Sequence, residues 1–420
     1  MSYLKIRHSD GLFGEVAIQG SKNSVLPIIA STVLHKGQTI IRNCPRISDV
    51  YDMIKILKSL GATSIFEGNT LIVDSGQINN SVIIDNEVSR IRSSVIFVGA
   101  LLGRCGSAKI AYPGGCKIGE RKIDAHLDGF IQLGYEVEEN CYLDVKGRIT
   151  EDRVICLKIK SVGATENVII SSVISDGKIV IINNAATEPE IVNLCISLNE
   201  MGADITGYGS ERIEIKGVKE LKEAEVEVFY DRIVAGTYIA ALSLVGGNIT
   251  LKNIDKNYDN AITMAFRKLG VQFKYYKNEI SLKCNVKNKK IPELTISTAV
   301  YPGFPTDMQS QIMAVMCVRV ESGIIVENIF ENRFGNVEML KKMGASIDVI
   351  NNKIAMIKGV NRLNGCKVKA LDLRSGAALC VAGLMAEGET IIEDVEYILR
   401  GYEHIDEDFR NLSANVWFVG

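Results

Sequence analysis

The hydrophobic pattern of this chain recurs at long, regular intervals. At five places two apolar residues stand three positions apart and are followed directly by glycine, and a sixth copy ends in serine. Apolar residues at this spacing share one face of a helix, and a glycine behind them is typical of the left-handed residue that ends a helix. The pattern therefore predicts six helix ends, at Leu57–Gly61, Phe130–Gly134, Leu198–Gly202, Phe266–Gly270, Leu340–Gly344 and Phe409–Ser413.

A second signal recurs at the same spacing along the chain. Each copy is a glycine, then a short run rich in β-branched residues, then a polar residue that opens a loop, which is the pattern of a helix end, a strand and a turn. Its glycines are Gly37, Gly106, Gly177, Gly247, Gly323 and Gly388. Together the two signals predict six α/β modules of about 70 residues, each reading helix, strand, loop, helix, strand. Six such modules suit two domains of three.

Composition limits the classes of function. A length of 420 residues with 47% apolar residues allows large cores, and a net charge of -2 gives no bulk attraction to nucleic acid. The N-terminal residues lack the apolar core of a signal peptide, and no apolar run approaches the roughly 18 residues of a membrane helix. We therefore expect a soluble cytoplasmic protein that binds neither nucleic acid nor membrane; its oligomeric state stays open.

The cysteines and histidines do not form a metal-binding pattern. The ten cysteines include no Cys-x-x-Cys pair, and the four histidines are scattered along the chain. Neither a disulfide framework nor a metal site is expected. Nine cysteines are expected to be small buried hydrophobic residues: Cys44, Cys105, Cys141, Cys156, Cys195, Cys284, Cys317, Cys366 and Cys380.

Cys116 is the exception among the cysteines. It follows Pro113, Gly114 and Gly115, which continue neither a helix nor a central strand. Lys117 and Arg121 stand close behind it, and nearby cations favour the thiolate form of cysteine. The setting predicts a chemically active cysteine on a loop.

Polar residues stand at the predicted start of the first helix of each module. The stretches behind them are strongly apolar, which is typical of buried helices. Cations at helix N-termini make a focused anion site, because the unpaired N–H groups and the helix dipole add to their charge. The alternative is that some of these arginines form surface ion pairs. The predicted starts are Lys22, Arg92, Thr165, Arg232, Asp307 and Arg374, and nearby loops add Arg121, Arg333 and Arg400.

Asp307 breaks this mainly cationic series. A carboxylate at a helix start is ordinarily a capping residue. Here the stiff loop Pro302–Thr306 precedes it, so a second possibility is a base or a hydroxyl anchor beside an anion site. Asp124 and Asp372 are similar but weaker candidates.

Taken together, these segments resemble the UDP-N-acetylglucosamine enolpyruvyl transferases over essentially the full length. The Pro-Gly-Gly-Cys loop is the most specific piece of the resemblance. The matching segments are Gly20–Asn23, Arg92–Ser94, Pro113–Cys116, Ile118–Gly119, Arg121 with Asp124 and His126, Ser161–Thr165, Phe304–Gln309, Phe330–Phe334, Asp372–Arg374 and Arg400–Tyr402.

The resemblance implies a fold and a reaction. The fold would be a two-domain inside-out α/β barrel with three modules in each domain, one spanning 22–229 and the other 1–21 plus 230–420, and the active site would lie in the cleft between them. The reaction would transfer enolpyruvyl from phosphoenolpyruvate to the 3'-hydroxyl of UDP-N-acetylglucosamine, releasing phosphate, as the first committed step of peptidoglycan synthesis. No metal or organic cofactor would take part.

The resemblance also implies roles for individual residues. Cys116 would be the general acid, able also to form an adduct with phosphoenolpyruvate, and Asp307 would be the base. The catalytic set would be Cys116, Asp307, Lys22 and Arg400. Phosphoenolpyruvate would be bound by Lys22, Asn23, Arg121, Arg400, Asp372 and Arg374. The sugar nucleotide would be bound by Asn23, Arg92, Arg121, Lys122, Ile123, Asp124, Asp307 and Ile329.

The chain departs from the family pattern at four positions. Ile96 replaces a common tryptophan, Lys122 a proline, Val234 an acidic residue and Ile159 a lysine that some members carry. These changes concern substrate contacts and not the proposed chemistry. Two alternatives stay open: a related enolpyruvyl transferase acting on shikimate 3-phosphate, against which the cysteine loop argues, and a non-catalytic sugar-nucleotide binding homologue.

Overall fold

The computed structural model describes residues 2–84, 91–114, 123–255, 258, 260–286 and 290–420. Its strands are β1 Tyr3–Arg7, β2 Leu12–Ala17, β3 Gln38–Arg42, β4 Thr63–Glu67, β5 Thr70–Asp74, β6 Val82–Ile83, β7 Ser107–Ile110, β8 Glu136–Glu139, β9 Leu143–Lys146, β10 Arg153–Cys156, β11 Ile179–Asn183, β12 Asp204–Thr206, β13 Arg212–Lys216, β14 Ala224–Glu227, β15 Gly247–Lys252, β16 Gln272–Tyr275, β17 Glu279–Cys284, β18 Ile291–Ser297, β19 Val320–Val326, β20 Ser346–Ile350, β21 Ile354–Lys358, β22 Lys367–Lys369, β23 Glu389–Glu393 and β24 Val416–Val419. Its helices are α1 Lys22–Ser31, α2 Ser48–Ser59, α3 Ile96–Cys105, α4 Asp124–Leu133, α5 Val162–Ser172, α6 Pro189–Glu200, α7 Arg232–Val245, α8 Ala261–Lys268, α9 Gln309–Arg319, α10 Val337–Lys342, α11 Leu373–Gly383 and α12 Ile405–Asn411.

The described strands form six four-stranded sheets with one common topology. Each sheet contains one parallel pair of strands at one edge, followed by two antiparallel pairs. For example, β10 pairs parallel with β11, β11 pairs antiparallel with β13, and β13 pairs antiparallel with β12. The corresponding module reads strand, helix, strand, helix, strand, strand along the chain. The prediction of six repeated α/β modules is therefore confirmed.

The predicted module was too simple, because it contained two strands where the structure has four. The missed strands open and close each module. The opening strand β10 has one buried residue in its four, and β6 is two residues long, so neither carries a readable alternation. Three modules also take a strand from a distant part of the chain: β14 pairs with β3, β2 with β15, and β1 with β23.

The helix ends follow the predicted glycines. Gly61, Gly134, Gly202, Gly270 and Gly344 all have positive φ, and Ser413 in the sixth copy has φ 63°. Among the glycines of the second signal, Gly106 is the left-handed C-cap of α3. Gly177 and Gly388 have positive φ, but they lie in turns that follow the ends of α5 and α11 at Ser172 and Gly383. Gly247 is the first residue of β15, and the C-cap of α7 is Gly246. The prediction of a helix end is also wrong at Gly37, which lacks a positive φ, and at Gly323, which lies inside β19 because α9 already ends at Arg319.

The chain divides into two compact units. Among the described residues, one unit comprises 2–19 and 230–420, and the other comprises 20–114 and 123–229. In each unit the first helices of the three modules form the centre and the sheets lie outside them. All eleven residues of α9 and all eleven of α11 are buried, as expected for helices that are apolar on every side. This is the inside-out arrangement that the resemblance implied.

The prediction that nine cysteines are buried is wrong for two of them. Cys141 and Cys156 are exposed, and Cys105 and Cys366 are partly buried. Cys141 lies in the turn between β8 and β9, and Cys156 is at the outward-facing end of β10. The remaining five are buried, and burial raises the pKa of Cys195 and Cys317 to about 12.

Candidate active site

Lys22 is the first residue of α1, as predicted, and its side chain is paired. Ser21 caps the helix, its hydroxyl accepting from the backbone N–H of Ser24. The Lys22 Nζ lies 2.6 Å from Oδ2 of Asp49, which belongs to the first turn of α2. The two side chains are 14% and 3% exposed. The ammonium is thus held at one place on the surface of its unit.

The other predicted groups of this unit also lie at helix starts. Arg92 begins a 3₁₀ turn, Arg92–Val95, that leads into α3, and both Arg92 and Asn23 are partly buried. Thr165 was predicted as a helix start, but α5 begins at Val162. The Thr165 hydroxyl donates to the carbonyl of Ser161 and accepts from the N–H of Ala186, so its role there is structural.

Three of the predicted site residues lie outside the described part of the chain. These are Cys116, Arg121 and Lys122. The two residues that follow them are at the start of α4. Ile123 is buried at the N-cap position, and Asp124 is exposed as the first helical residue.

In the other unit Asp307 lies between two arginines. It belongs to the 3₁₀ turn Thr306–Met308 directly before α9. Arg333 Nη2 donates to Asp307 Oδ1 at 2.9 Å, and Arg374 Nη2 donates to Oδ2 at 2.8 Å. The arginine side chains are 3% and 4% exposed, whereas that of Asp307 is 27% exposed. Each carboxylate oxygen therefore has a buried guanidinium partner, while part of the group remains open to a ligand.

Arg374 stays charged despite its burial. Burial alone lowers its pKa, but the neighbouring Asp307, together with Tyr402 and Asp231, outweighs this and raises the pKa above its ordinary value. Its second terminal nitrogen, Nη1, is buried and has no hydrogen-bond partner within the described residues. The guanidinium thus has one donor that no described residue of the protein accepts from.

Asp372 acts as the cap of α11. Its Oδ1 accepts from the backbone N–H groups of Arg374 at 2.8 Å and Ser375 at 3.0 Å, and Ser375 completes a capping box. This is the ordinary role of a carboxylate at a helix start. Asp372 therefore supports the site by fixing the turn that carries Arg374.

Two further predicted residues, Arg400 and Ile329, lie in the same unit. Arg400 ends the 3₁₀ helix Val395–Arg400 and is partly buried, as is Ile329. The N–H of Ile329 donates to Oε1 of Glu327 at 2.9 Å, and the Thr306 hydroxyl donates to Oε2 of the same carboxylate at 3.1 Å. Glu327 thereby links the Ile329 loop to the turn that carries Asp307.

Two pairings were not visible in the sequence. Arg333 was grouped with the loop cations, and its contact with Asp307, 26 residues away, had no sequence signal. Asp49 was not singled out at all. Its signal is weak: an acid in the first turn of a helix, where acids are common for electrostatic reasons alone.

The departures from the family pattern occupy different environments. Val234 is completely buried in α7, and Ile96 is 4% exposed at the start of α3, so both pack in the cores. Ile159 is 62% exposed. The hydrophobic replacements at 96 and 234 are thus accommodated by packing.

Across the described ranges, no group of three or more His, Cys, Asp or Glu side chains is placed to hold a metal ion. Nor does any helix in that part of the chain combine the length and apolar character needed to cross a membrane.

Comparison with known proteins identifies the family. Residues 6–409 match the model of EPSP synthase (3-phosphoshikimate 1-carboxyvinyltransferase). The chain is 43% identical over 417 residues to UDP-N-acetylglucosamine 1-carboxyvinyltransferase 2 of Caldanaerobacter subterraneus subsp. tengcongensis, covering 99% of each chain. It is 39% identical over 424 residues to UDP-N-acetylglucosamine 1-carboxyvinyltransferase of Thermotoga maritima, covering 100% of this chain and 99% of the relative.

Solved structures agree on the fold. The enolpyruvyl transferase NikO from Streptomyces tendae has a TM-score of 0.88 at 22% identity, covering 100% of this chain and 99% of its own. EPSP synthase from Acinetobacter baumannii has a TM-score of 0.75 at 13% identity, with both chains covered completely. The resemblance seen in the motifs is therefore confirmed, and the chain belongs to the UDP-N-acetylglucosamine 1-carboxyvinyltransferases, within the EPSP synthase family.

Proposed function

We propose that this chain transfers the enolpyruvyl group of phosphoenolpyruvate to the 3'-hydroxyl of UDP-N-acetylglucosamine and releases phosphate. The observation that carries the proposal is full-length identity of 39% to 43% with relatives named for that activity. The four residues that the chemistry needs, Lys22, Cys116, Asp307 and Arg400, are all present.

The reaction begins with an addition. Cys116 gives a proton to C3 of phosphoenolpyruvate while the sugar 3'-oxygen forms a bond to C2, and the carboxylate of Asp307 takes the hydroxyl proton. The product is a tetrahedral ketal that still carries the phosphate. Addition of the Cys116 S–H across the C2–C3 double bond, with the sulfur bonding to C2 in place of the sugar oxygen and the proton going to C3, gives the covalent adduct with phosphoenolpyruvate.

The second half is an elimination. The Cys116 thiolate left by the addition takes a proton back from C3, the C2–C3 double bond forms again and the C2–O bond to phosphate breaks. Lys22, Arg121 and Arg400 stabilise the charge that grows on the leaving phosphate, because cations in a partly dehydrated site interact strongly with a developing anion. Arg374 and Asp372 support the phosphoenolpyruvate side.

The substrates bind between the two three-module domains, 22–229 and 1–21 plus 230–420. Asn23, Arg92, Arg121, Lys122, Ile123, Asp124, Asp307 and Ile329 bind the sugar nucleotide, and Asn23 also meets phosphoenolpyruvate. Two lines of support come from the described residues. Lys22 and Arg92 lie at helix starts in one unit, and the partly exposed carboxylate of Asp307 contacts two arginines in the other.

In the cell the reaction belongs to the cytoplasm and supplies peptidoglycan synthesis. It therefore supports cell-wall formation, cell shape and cell division. We also propose that fosfomycin, an epoxide, alkylates Cys116. Treatment in the presence of the sugar nucleotide is expected to raise the intact mass by one fosfomycin, and Cys116→Ser to abolish the gain. An unchanged mass of the unaltered chain would contradict an activated thiol.

Phosphate release from purified protein tests the function. Release is expected when phosphoenolpyruvate and UDP-N-acetylglucosamine are both present, and not when shikimate 3-phosphate replaces the sugar nucleotide. Release with shikimate 3-phosphate would favour the related synthase. Binding of both ligands without release would favour a sugar-nucleotide binding protein.

A further inference from the structure

Asp49 is almost completely buried, which is unusual for a carboxylate. It is 2% exposed, in the first turn of α2. The N-cap of that helix is Ile47, which has no polar side chain to offer to the free N–H groups. The positive end of the helix dipole favours a negative charge at this position. A buried carboxylate nevertheless requires a partner, since an uncompensated buried charge is costly.

Lys22 supplies that partner from a different helix. Its Nζ lies 2.6 Å from Asp49 Oδ2, within the range of a charge-assisted hydrogen bond. The contact joins the first turn of α1 to the first turn of α2 inside one module. A lysine has a four-carbon stem with many rotamers, and holding it in one of them costs conformational entropy.

The geometry points to a positioning role: we propose that Asp49 orients the Lys22 ammonium for the phosphate of phosphoenolpyruvate. An ammonium carries three N–H donors in a tetrahedral arrangement, so the direction of the contact with Asp49 Oδ2 fixes the directions open to its other N–H groups. Asp49 therefore reduces the entropy lost when Lys22 binds an anion. This inference rests on the proposed function, because it concerns the same ligand.

A purely structural role gives a different expectation. If Asp49 only stabilises the positive end of the α2 dipole, its neutralisation lowers the free energy of unfolding and leaves the Kd of phosphoenolpyruvate unchanged. Asp52 provides a matched control because it lies on the same helix and pairs locally with Lys55 at 2.8 Å. Comparing Asp49→Asn with Asp52→Asn separates loss of a carboxylate on α2 from loss of the Lys22 contact.

The test is calorimetric titration of the full-length protein with phosphoenolpyruvate in the presence of UDP-N-acetylglucosamine, with Cys116→Ser introduced into every protein compared so that the two substrates bind without reacting. Asp49→Asn is expected to raise the Kd of phosphoenolpyruvate by about ten- to hundredfold, as for loss of a hydrogen bond to a charged group. The Kd of the sugar nucleotide is expected to stay within about twofold, as is every value for Asp52→Asn. Asp49→Glu, which keeps the charge, is expected to recover part of the affinity.

A double variant shows whether Asp49 acts through Lys22. If it does, Asp49→Asn combined with Lys22→Gln binds phosphoenolpyruvate no more weakly than Lys22→Gln alone. Additive losses would overturn the proposal, as would an unchanged Kd for Asp49→Asn. If Asp49→Asn fails to fold, the test uses Asp49→Glu. An unchanged Kd of phosphoenolpyruvate for Asp49→Glu would contradict a geometric role of Asp49.

Failure of the proposed function is distinguishable from failure of this inference. If the unaltered protein binds phosphoenolpyruvate but releases no phosphate, the proposed enzymatic function fails. The Kd of phosphoenolpyruvate for the Asp49 variants still tests the positioning role of Asp49 in that case. If the unaltered protein binds neither phosphoenolpyruvate nor inorganic phosphate, the positioning role of Asp49 is overturned.

Discussion

The carboxylate of Asp307 shows how single residues define the candidate site. Two nearly buried arginines, Arg333 and Arg374, hold its two oxygens. Bidentate or paired guanidinium contacts restrict the direction as well as the charge of a carboxylate. If Asp307 is the base, as we propose, it is held in one orientation and needs little reorganisation before it accepts a proton.

Removing Arg333 is expected to damage both stability and turnover. Arg333→Ala leaves the Asp307 carboxylate with one of its two guanidinium partners, and breaking such a pair costs about 3 kcal/mol in free energy of unfolding, measured by urea denaturation. Phosphate release is expected to fall by about tenfold or more because the base loses its fixed orientation. Arg362, an exposed partner of Glu387, is the control; Arg362→Ala is expected to cost less than about 1 kcal/mol. Equal losses for the two variants would contradict the account.

A second residue-scale prediction concerns Glu166 in α5. Burial, followed by the nearby Glu190 and Glu188, raises its pKa from 4.5 to about 8. The folded state therefore keeps a proton that the unfolded state loses between these values, so this residue makes stability fall as the pH rises from 4.5 to about 8. In Glu166→Gln that contribution is absent.

Urea denaturation at several pH values checks this prediction. The variant is expected to lose less stability than the unaltered protein between the two ends of that pH window. Parallel stability curves for the two proteins would contradict a protonated Glu166 in the folded state.

At the scale of elements, the helix ends were predictable and the added strands were not. A glycine behind an apolar pair is a local signal, and at Gly270 the structure has the expected left-handed conformation, φ 91°. A strand such as β14 is different. It pairs with β3, whose sequence position is far away, and nothing local to Ala224–Glu227 specifies that partner. The same holds for the Lys22–Asp49 and Arg333–Asp307 contacts, which depend on how separate elements pack.

Gly270 allows the left-handed helix end to be tested by substitution. A Cβ added there meets nothing within 4 Å, so substitution tests backbone conformation without a steric clash. Gly270→Ala is expected to lower the free energy of unfolding by about 1 kcal/mol, since a left-handed residue with a Cβ is strained. Gly270→Asn is the control and is expected to cost less, because asparagine tolerates this conformation better. Equal stability of the alanine variant and the unaltered protein would contradict the assigned helix end.

At the scale of the whole molecule, the repeat predicted the six modules but not the path of the chain through them. The unit containing residues 230–420 also includes the N-terminal strands β1 and β2. Sequence periodicity describes modules that are continuous in the chain, and a module completed by a distant strand leaves no periodic signal. The positions of Lys22, Asp307 and Arg374 at or beside helix starts were predictable from residue type. Their side-chain partners from other elements, Asp49 and Arg333, were missed.

The mass of the reaction product is the strictest test of enolpyruvyl transfer to the sugar nucleotide. After incubation of the full-length protein with phosphoenolpyruvate and UDP-N-acetylglucosamine, mass spectrometry is expected to show a sugar nucleotide heavier by one enolpyruvyl group, with an equal amount of phosphate released. Asp307→Asn is expected to form it at least about a hundredfold more slowly, as for loss of a general base. A sugar nucleotide of unchanged mass, recovered from an unaltered protein that binds both substrates, would contradict the account.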